Sequence, residues 1–589
     1  MPHIRICDPK VIKGFIHEKK ISAAKEGNWN KGIGTGNKVI SFEVFVVLQK
    51  ALHTHNHPQF HSPLACSQGF YGFIKDATKA PTYARFDYIV IGGGTSGCAL
   101  AATLSENASV LVLERGGSPY ENPTGTDLGN ITPSSWSQPF ASEDGVDNRR
   151  PRVLGGGTVI NGGFYTRAGD GYVAEAKWEM EEVEAAYEWV EKKLVFEPRV
   201  LGWQSAFTNG LLEAGVLPYN GFTYDHINGT KIGGTIFDPT GHRHSAADLL
   251  YNANPDMIVV YVNATVHKIL FTTEGDQRPK AHGVIYQDAD GVFHKAELAE
   301  NVMNEVILSA GAIGSPHLLM LSGVGPKAEL EAHGVNLVVL DHPMVGKGMG
   351  DNPMNKVIIP SPLLVEVAPP STVGITEFGS FIEGSALDAG PTVQSIPPSN
   401  DGLILQKVDG PVSRGYLELR NTNVDDNPYV TFNYYQEPED LEKCVKGLEI
   451  VIEVINSEAF SKYKYPNVTA LDLLMTSLPI NLRPSHETAM LNLTQFCFDT
   501  VRTVYHYHGG CQVGRVVDKN YKVFGINALR VIDGSTFLKS PGTNPQATVM
   551  MLGRYMGQKI LQEKAAFGGN NEDYSIIEEE TNICFASSK

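Results

Sequence analysis

The stretch FDYIVIGGGTSGCALAATLSENASVLVLERGG, residues 86–117, constrains this chain more than any other. Tyr88 to Ile91 is a short apolar run of β type, followed by glycines at 92, 94 and 97. A helical stretch rich in Ala and Leu runs from Ser96 to Leu104, and a second apolar run, Val110 to Leu113, ends in Glu114. The parts stand in the order of a β-α-β unit with the G-x-G-x-x-G spacing. Gly92 serves the tight turn, Gly94 lets the backbone approach a pyrophosphate, and Gly97 permits close helix–strand packing. Thr95 and Ser96 stand at the helix start, whose free N–H groups and positive dipole end suit phosphates. Glu114 stands 22 residues beyond Gly92, where an acid can bind ribose hydroxyls, with Arg115 beside it. Taken alone, the glycines mark only a turn. With both strands, the helix and the acid they predict a dinucleotide site, disfavour NADP, and leave NAD and FAD open.

The rest of the chain sets limits. At 589 residues it is too long for one compact core, so two or more domains are expected. Its 60 glycines exceed the roughly 7% average but follow no period, and 42% of residues are hydrophobic, so neither collagen nor disorder is indicated. A net charge of −17 disfavours a nucleic-acid partner. No uncharged apolar run reaches 18 residues, so no transmembrane segment is expected. Seven cysteines include no C-x-x-C pair, which speaks against a zinc ribbon, and no metal site is expected. Residues 1–80 read as an N-terminal extension without recognisable chemistry. Val39 to Leu48 is apolar but short and interrupted by Glu43, no signal peptide is visible, and His53, His55 and His57 read as a polar loop. Residues 568–589 read as a polar, solvated tail.

Three more glycine-rich stretches follow: RVLGGGTVINGGFYTRA at 152–168, GAIGSPHLLMLSGVG at 311–325, and TVYHYHGGCQVG at 503–514 with SPGTNPQATVMMLGRYMG at 540–557. Together they resemble the signatures of the glucose–methanol–choline (GMC) oxidoreductases, an FAD-dependent family. The first departs from the pattern at Pro151, and VGKGMGDNP at 345–353 resembles a further family segment. Within the family the chain is most similar to a plant branch of HOTHEAD-like proteins and mandelonitrile lyases, on YHYHGGCQVG, GVLPYNGFTYDHINGT and GHRHSAADLL.

The resemblance implies an α/β plus α+β fold: a discontinuous Rossmann-type FAD domain from 84–170, 240–325 and 500–565, and a substrate domain on an antiparallel sheet from 171–239 and 326–499. It implies FAD contacts at the first motif and at Val153, Gly157, Thr158, Asn161, Gly162, Gly163, Phe164, Val266, Tyr505, Asp533, Gly534, Asn544, Pro545 and Gln546. Some members carry a flavin-linked His where this chain has Asn161, so noncovalent FAD is expected. Cys444 and Cys497 resemble a pair disulfide-bonded in plant relatives. A secreted monomer acting on a small-molecule alcohol is implied.

By the same resemblance His506 and Asn544 are the catalytic pair. His506 would take the alcohol proton as a hydride passes to flavin N5, and Asn544 would hold the oxygen. A long-chain ω-hydroxy fatty acid is the substrate the branch suggests. Cyanohydrin cleavage with non-redox FAD is the alternative. Against it stand Val504 and Asn544, where the lyases carry Tyr and His, and the absence of any Cys between 98 and 444. A third reading is an inactive FAD-binding protein, because the stretches near 130 and 385–400 are shorter than in relatives. His508, two residues on, would share a strand face with His506 if that strand is regular, in a structural role.

Overall fold

The computed structural model describes residues 72–585 apart from 129–133, 274–277, 387–398, 479–480, 485 and 487–491. The His53–His57 tract and the Val39–Leu48 run lie outside the described residues, as do most of the two shortened stretches.

Six strands form one parallel sheet: β1 (Ile74–Asp76), β2 (Tyr88–Ile91), β3 (Val110–Leu113), β4 (Ile258–Val262), β5 (Glu305–Leu308) and β6 (Leu529–Val531), in the order β1-β4-β3-β2-β5-β6. Every residue of β2 and β3 is buried, as continuous apolar runs must be when both faces of a parallel sheet are covered. Helix α1 (Thr95–Leu104) returns the chain from β2 to β3, α2 (Gly311–Leu321) follows β5, and α3 (Gln546–Phe585) packs on α1. The α1–α3 approach needs glycine: a Cβ on Gly553 would lie 2.3 Å from Ser96 O.

Two segments depart from the sequence reading. β1 comes from the stretch assigned to the extension, and pairs in parallel with β4 from Ile74 to Asp76. Three residues at a sheet edge carry too little periodicity to be read locally. The backbone of α3 runs as helix to Phe585, through most of the segment read as a tail.

A seven-stranded sheet makes the second layer, in the order Arg502–Thr503, Pro353–Val365, Ser399–Val408, Ser380–Ser385, Thr372–Ile375, Gly229–Ile232 and Tyr219–Phe222. Its pairings are antiparallel except the last. Period-2 alternation turns Lys356, Glu383, Leu403, Leu405 and Lys407 toward one cavity. Helix Pro438–Asn456 packs on the sheet and against helix Leu493–Thr500, and the Cys444–Cys497 disulfide joins the two helices.

Candidate active site

A cavity of about 390 Å³ runs from the C-terminal ends of the parallel strands to the antiparallel sheet. Crevices at that end of a parallel sheet are where α/β folds bind ligands. Every site residue expected from the sequence lines it, the disulfide pair aside, except Gly97. Gly97 acts underneath: a Cβ there would stand 2.0 Å from Gly92 O, so its glycine serves helix–strand contact.

The cofactor end is shaped by backbone. No side chain caps the N-terminus of α1, and a Cβ on Gly94 would come no nearer than 3.8 Å to any atom. The protein itself does not demand glycine at 94; the cavity does. The 152–168 loop folds onto this point, since a Cβ on Gly156 would lie 2.9 Å from Gly94 Cα. Among the described residues Ser96 Oγ and Arg150 Nη2 are buried without a hydrogen-bond partner, and both residues line the cavity. Unpaired donors beside an open helix N-terminus fit an anionic group such as a pyrophosphate.

Glu114 is buried. Its Oε2 accepts from Gly93 N–H at 3.0 Å and its Oε1 from Gly116 N–H at 2.7 Å. Burial pushes its carboxyl upward against those two bonds. Each oxygen keeps acceptor capacity for a ribose hydroxyl. Burial pulls Arg115 down to about 10. Strand Thr265–Thr272 breaks register between Val266 and Lys268, a bulge at one of the expected FAD contacts. Asp533 joins β6 to α2, accepting from Gly311 N–H at 2.9 Å and from Ser315 Oγ at 2.5 Å.

At the other end His506 lines the cavity and leaves its Nδ1 3.1 Å from Asn352 Nδ2. Its backbone N–H donates to Asp351 Oδ1 at 2.7 Å. Asp351 Oδ2 also accepts from the Tyr434 and Thr503 hydroxyls, each at 2.6 Å. Burial raises Asp351 to about 7 in spite of these donors. Burial, then the Lys407 charge, then His508, hold His506 well below the usual histidine range, so its ring is neutral near pH 7. Asn544 Oδ1 is buried and has no hydrogen-bond partner among the described residues. Tyr505 adopts φ 65°, a left-handed conformation that bulky residues avoid outside constrained sites. His506 to His508 do not form a regular strand; His508 is buried with its Nδ1 3.1 Å from His506 O.

Five contributors escaped the sequence reading. Asp351 and Asn352 sit in VGKGMGDNP, noted only for its resemblance. Lys407 and Glu383 form a buried ion pair at 2.5 Å on the sheet wall of the cavity, and nothing in their local sequence marks it. Arg243, inside GHRHSAADLL, is buried with no acidic partner among the described residues: it donates to Thr158 O at 3.0 Å, Asn161 Oδ1 at 2.9 Å and Asn161 O at 2.6 Å. Burial lowers it to about 9. Asn161 Nδ2 in turn donates to Gln546 Oε1 at 2.8 Å, so Arg243 braces the segment that meets the C-terminal motif. Arg243→Met should cost about 3 kcal/mol by leaving those acceptors unpaired, and should lower both the melting temperature and FAD affinity. A variant matching wild type in both would show the brace to be dispensable.

Two profiles described as GMC oxidoreductase match residues 86–354 and 411–553. The chain is 49% identical to Protein HOTHEAD of Arabidopsis thaliana, over 82% of this chain and 89% of that protein. It is 41% identical to sinalpyl alcohol oxidase Nec3 of Nesocodon mauritianus, over 90% and 98%, and 41% identical to (R)-mandelonitrile lyase 4 of Prunus serotina, over 85% and 89%. An Aspergillus oryzae formate oxidase variant superposes with a TM-score of 0.69 at 18% identity, covering 82% of this chain and 99% of that one, which speaks to the fold. Profiles spanning both layers, plant relatives matched over most of their length, and one cavity shared by the motifs agree: this chain belongs to the GMC oxidoreductases and is an FAD-dependent enzyme.

Proposed function

We propose that this enzyme oxidises the CH–OH group of an alcohol, with His506 and Asn544 as the catalytic pair and FAD held noncovalently. The observation that carries the reading is the cavity itself, which joins the uncapped α1 N-terminus to a neutral histidine and an unpaired amide oxygen. Bound FAD supplies the hydride acceptor. His506 takes the one proton that the alcohol hydroxyl must lose, and Asn544 orients the substrate beside it. Asp351 fixes the His506 backbone, and the Lys407 ammonium lends positive charge to the region where alkoxide character develops. Noncovalent attachment is supported by Asn161, whose amide is engaged with Gly163 N–H, Arg243 and Gln546. A long-chain ω-hydroxy fatty acid is the substrate we propose, after the plant branch. The Cys444–Cys497 disulfide favours folding in an oxidising, secretory compartment.

Anaerobic mixing with a panel of alcohols tests the reading. ω-Hydroxy acids should bleach the visible flavin absorbance within the mixing series. Cyanide release from mandelonitrile without bleaching would establish lyase chemistry instead.

A further inference from the structure

The side of the amide that Asn352 turns to His506 follows from its other neighbours. Asn352 is fully buried and lies behind the catalytic histidine, outside the cavity lining. Beside His506 Nδ1, its Nδ2 faces Ser540 Oγ at 3.2 Å and Thr543 O at 3.4 Å. Ser540 Oγ spends its own proton on Gly542 O at 2.7 Å, so toward Asn352 it is an acceptor. A carbonyl can only accept. Two acceptors therefore call for the NH2 group on this side, and Asn352 Oδ1 is left buried without a partner. The same NH2 group meets His506 Nδ1 at 3.1 Å, the shortest of the three, so one of its two protons serves the ring and the other is shared by Ser540 Oγ and Thr543 O. A donor facing Nδ1 requires a lone pair there, so the ring proton sits on Nε2.

We infer that Asn352 is a positioning residue that holds His506 in the Nε2–H tautomer, and thereby sets how readily the ring accepts the alcohol proton. This rests on the reading of His506 as the proton acceptor. In the Nε2–H form the ring is a hydrogen-bond donor to the alcohol oxygen. To accept the proton at Nε2, the ring must first carry its own proton on Nδ1, against the Asn352 amide. The wild-type enzyme works from its minor tautomer, at the cost of about one hydrogen bond. An acceptor in place of the amide reverses the preference, because a carboxylate takes a proton from Nδ1–H and leaves Nε2 free.

The charged and titratable groups around His506 are Asp351 at its backbone, Lys407 paired with Glu383 across the cavity, His508, Tyr505, Tyr507 and Arg502. Burial keeps the wild-type ring neutral across pH 6–9, and the group that changes charge beside it is Asp351, raised to about 7. Asn352→Asp adds a negative charge at Nδ1, which stabilises the imidazolium and raises the ring's pKa. The accepting form then exists only above that pKa.

Ring-15N-histidine labelling of the FAD-loaded enzyme, assigned against His506→Gln, should show Nδ1 without a proton and Nε2 with one from pH 6 to 9. In Asn352→Asp the proton should move to Nδ1. Anaerobic flavin reduction should rise more steeply with pH in the variant than in wild type, where Asp351 is the neighbour that titrates, and should exceed wild type on the alkaline side by roughly tenfold, the weight of one hydrogen bond. Asn352→Ala, which removes the donor without burying charge, should show both tautomers. A wild-type Nδ1–H signal would overturn the proposal, as would an Asn352→Asp rate below wild type at every pH. If no alcohol reduces the flavin, the alcohol reading falls, while the ring spectrum still decides the tautomer.

Discussion

His506→Ala is expected to slow alcohol-driven flavin reduction by about 10²–10⁴-fold, the usual span for a lost acid–base group, while the flavin stays bound. The side chain holds little of the fold: among the described residues its ring makes one polar contact, to Asn352 Nδ2. The stronger tie is the backbone N–H to Asp351, which alanine keeps. Neither hydroxyl held by Asp351 belongs to His506, so the network of Tyr434 and Thr503 survives. Stopped-flow absorbance at saturating alcohol gives the rate, and flavin fluorescence after gel filtration gives occupancy. Loss of FAD together with a lowered melting temperature would show the histidine to be structural.

The second large effect separates two glycines three residues apart. Gly97→Ala places a Cβ 2.0 Å from Gly92 O, a backbone atom that cannot step aside. Helix α1 must then lift from β2, at a cost of about 3 kcal/mol or more. The apoprotein should melt early and lose FAD as a consequence. Gly94→Ala meets nothing nearer than 3.8 Å, so the apoprotein should melt like wild type. Its methyl group would instead enter the space where the pyrophosphate approaches the backbone, and FAD affinity should fall at least about tenfold. Equal melting temperatures for the two apoproteins would refute this division of labour.

Legibility followed sequence distance. The β2-α1-β3 unit could be read because its strand, glycines, helix and acid lie within one short stretch, and each part constrains the next. Asn161 and Gln546 are 385 residues apart, yet both were expected at one site because separate motifs of the family resemblance carried them, and they meet in a hydrogen bond. Asp351, Asn352, Arg243, Lys407 and Glu383 work through partners that only the fold supplies. Asn352 meets His506 across 154 residues, and no local spacing encodes such an encounter. β1 was missed for another reason: its three residues borrow their conformation from β4, since strand pairing outweighs weak local preference.

The strand order carries a consequence for how the enzyme is made. β2 and β3 leave the ribosome early, but β4, β5 and β6 arrive from positions 258, 305 and 529, and the helix that covers α1 begins only at Gln546. Asp533, which ties β6 to α2, and the Asn-Pro-Gln turn are among the last pieces synthesised. Until they emerge, α1 lacks its cover and the cavity lacks a wall, so FAD capture belongs to the end of translation, and a nascent chain halted before Leu529 is a client for chaperones rather than a flavoprotein.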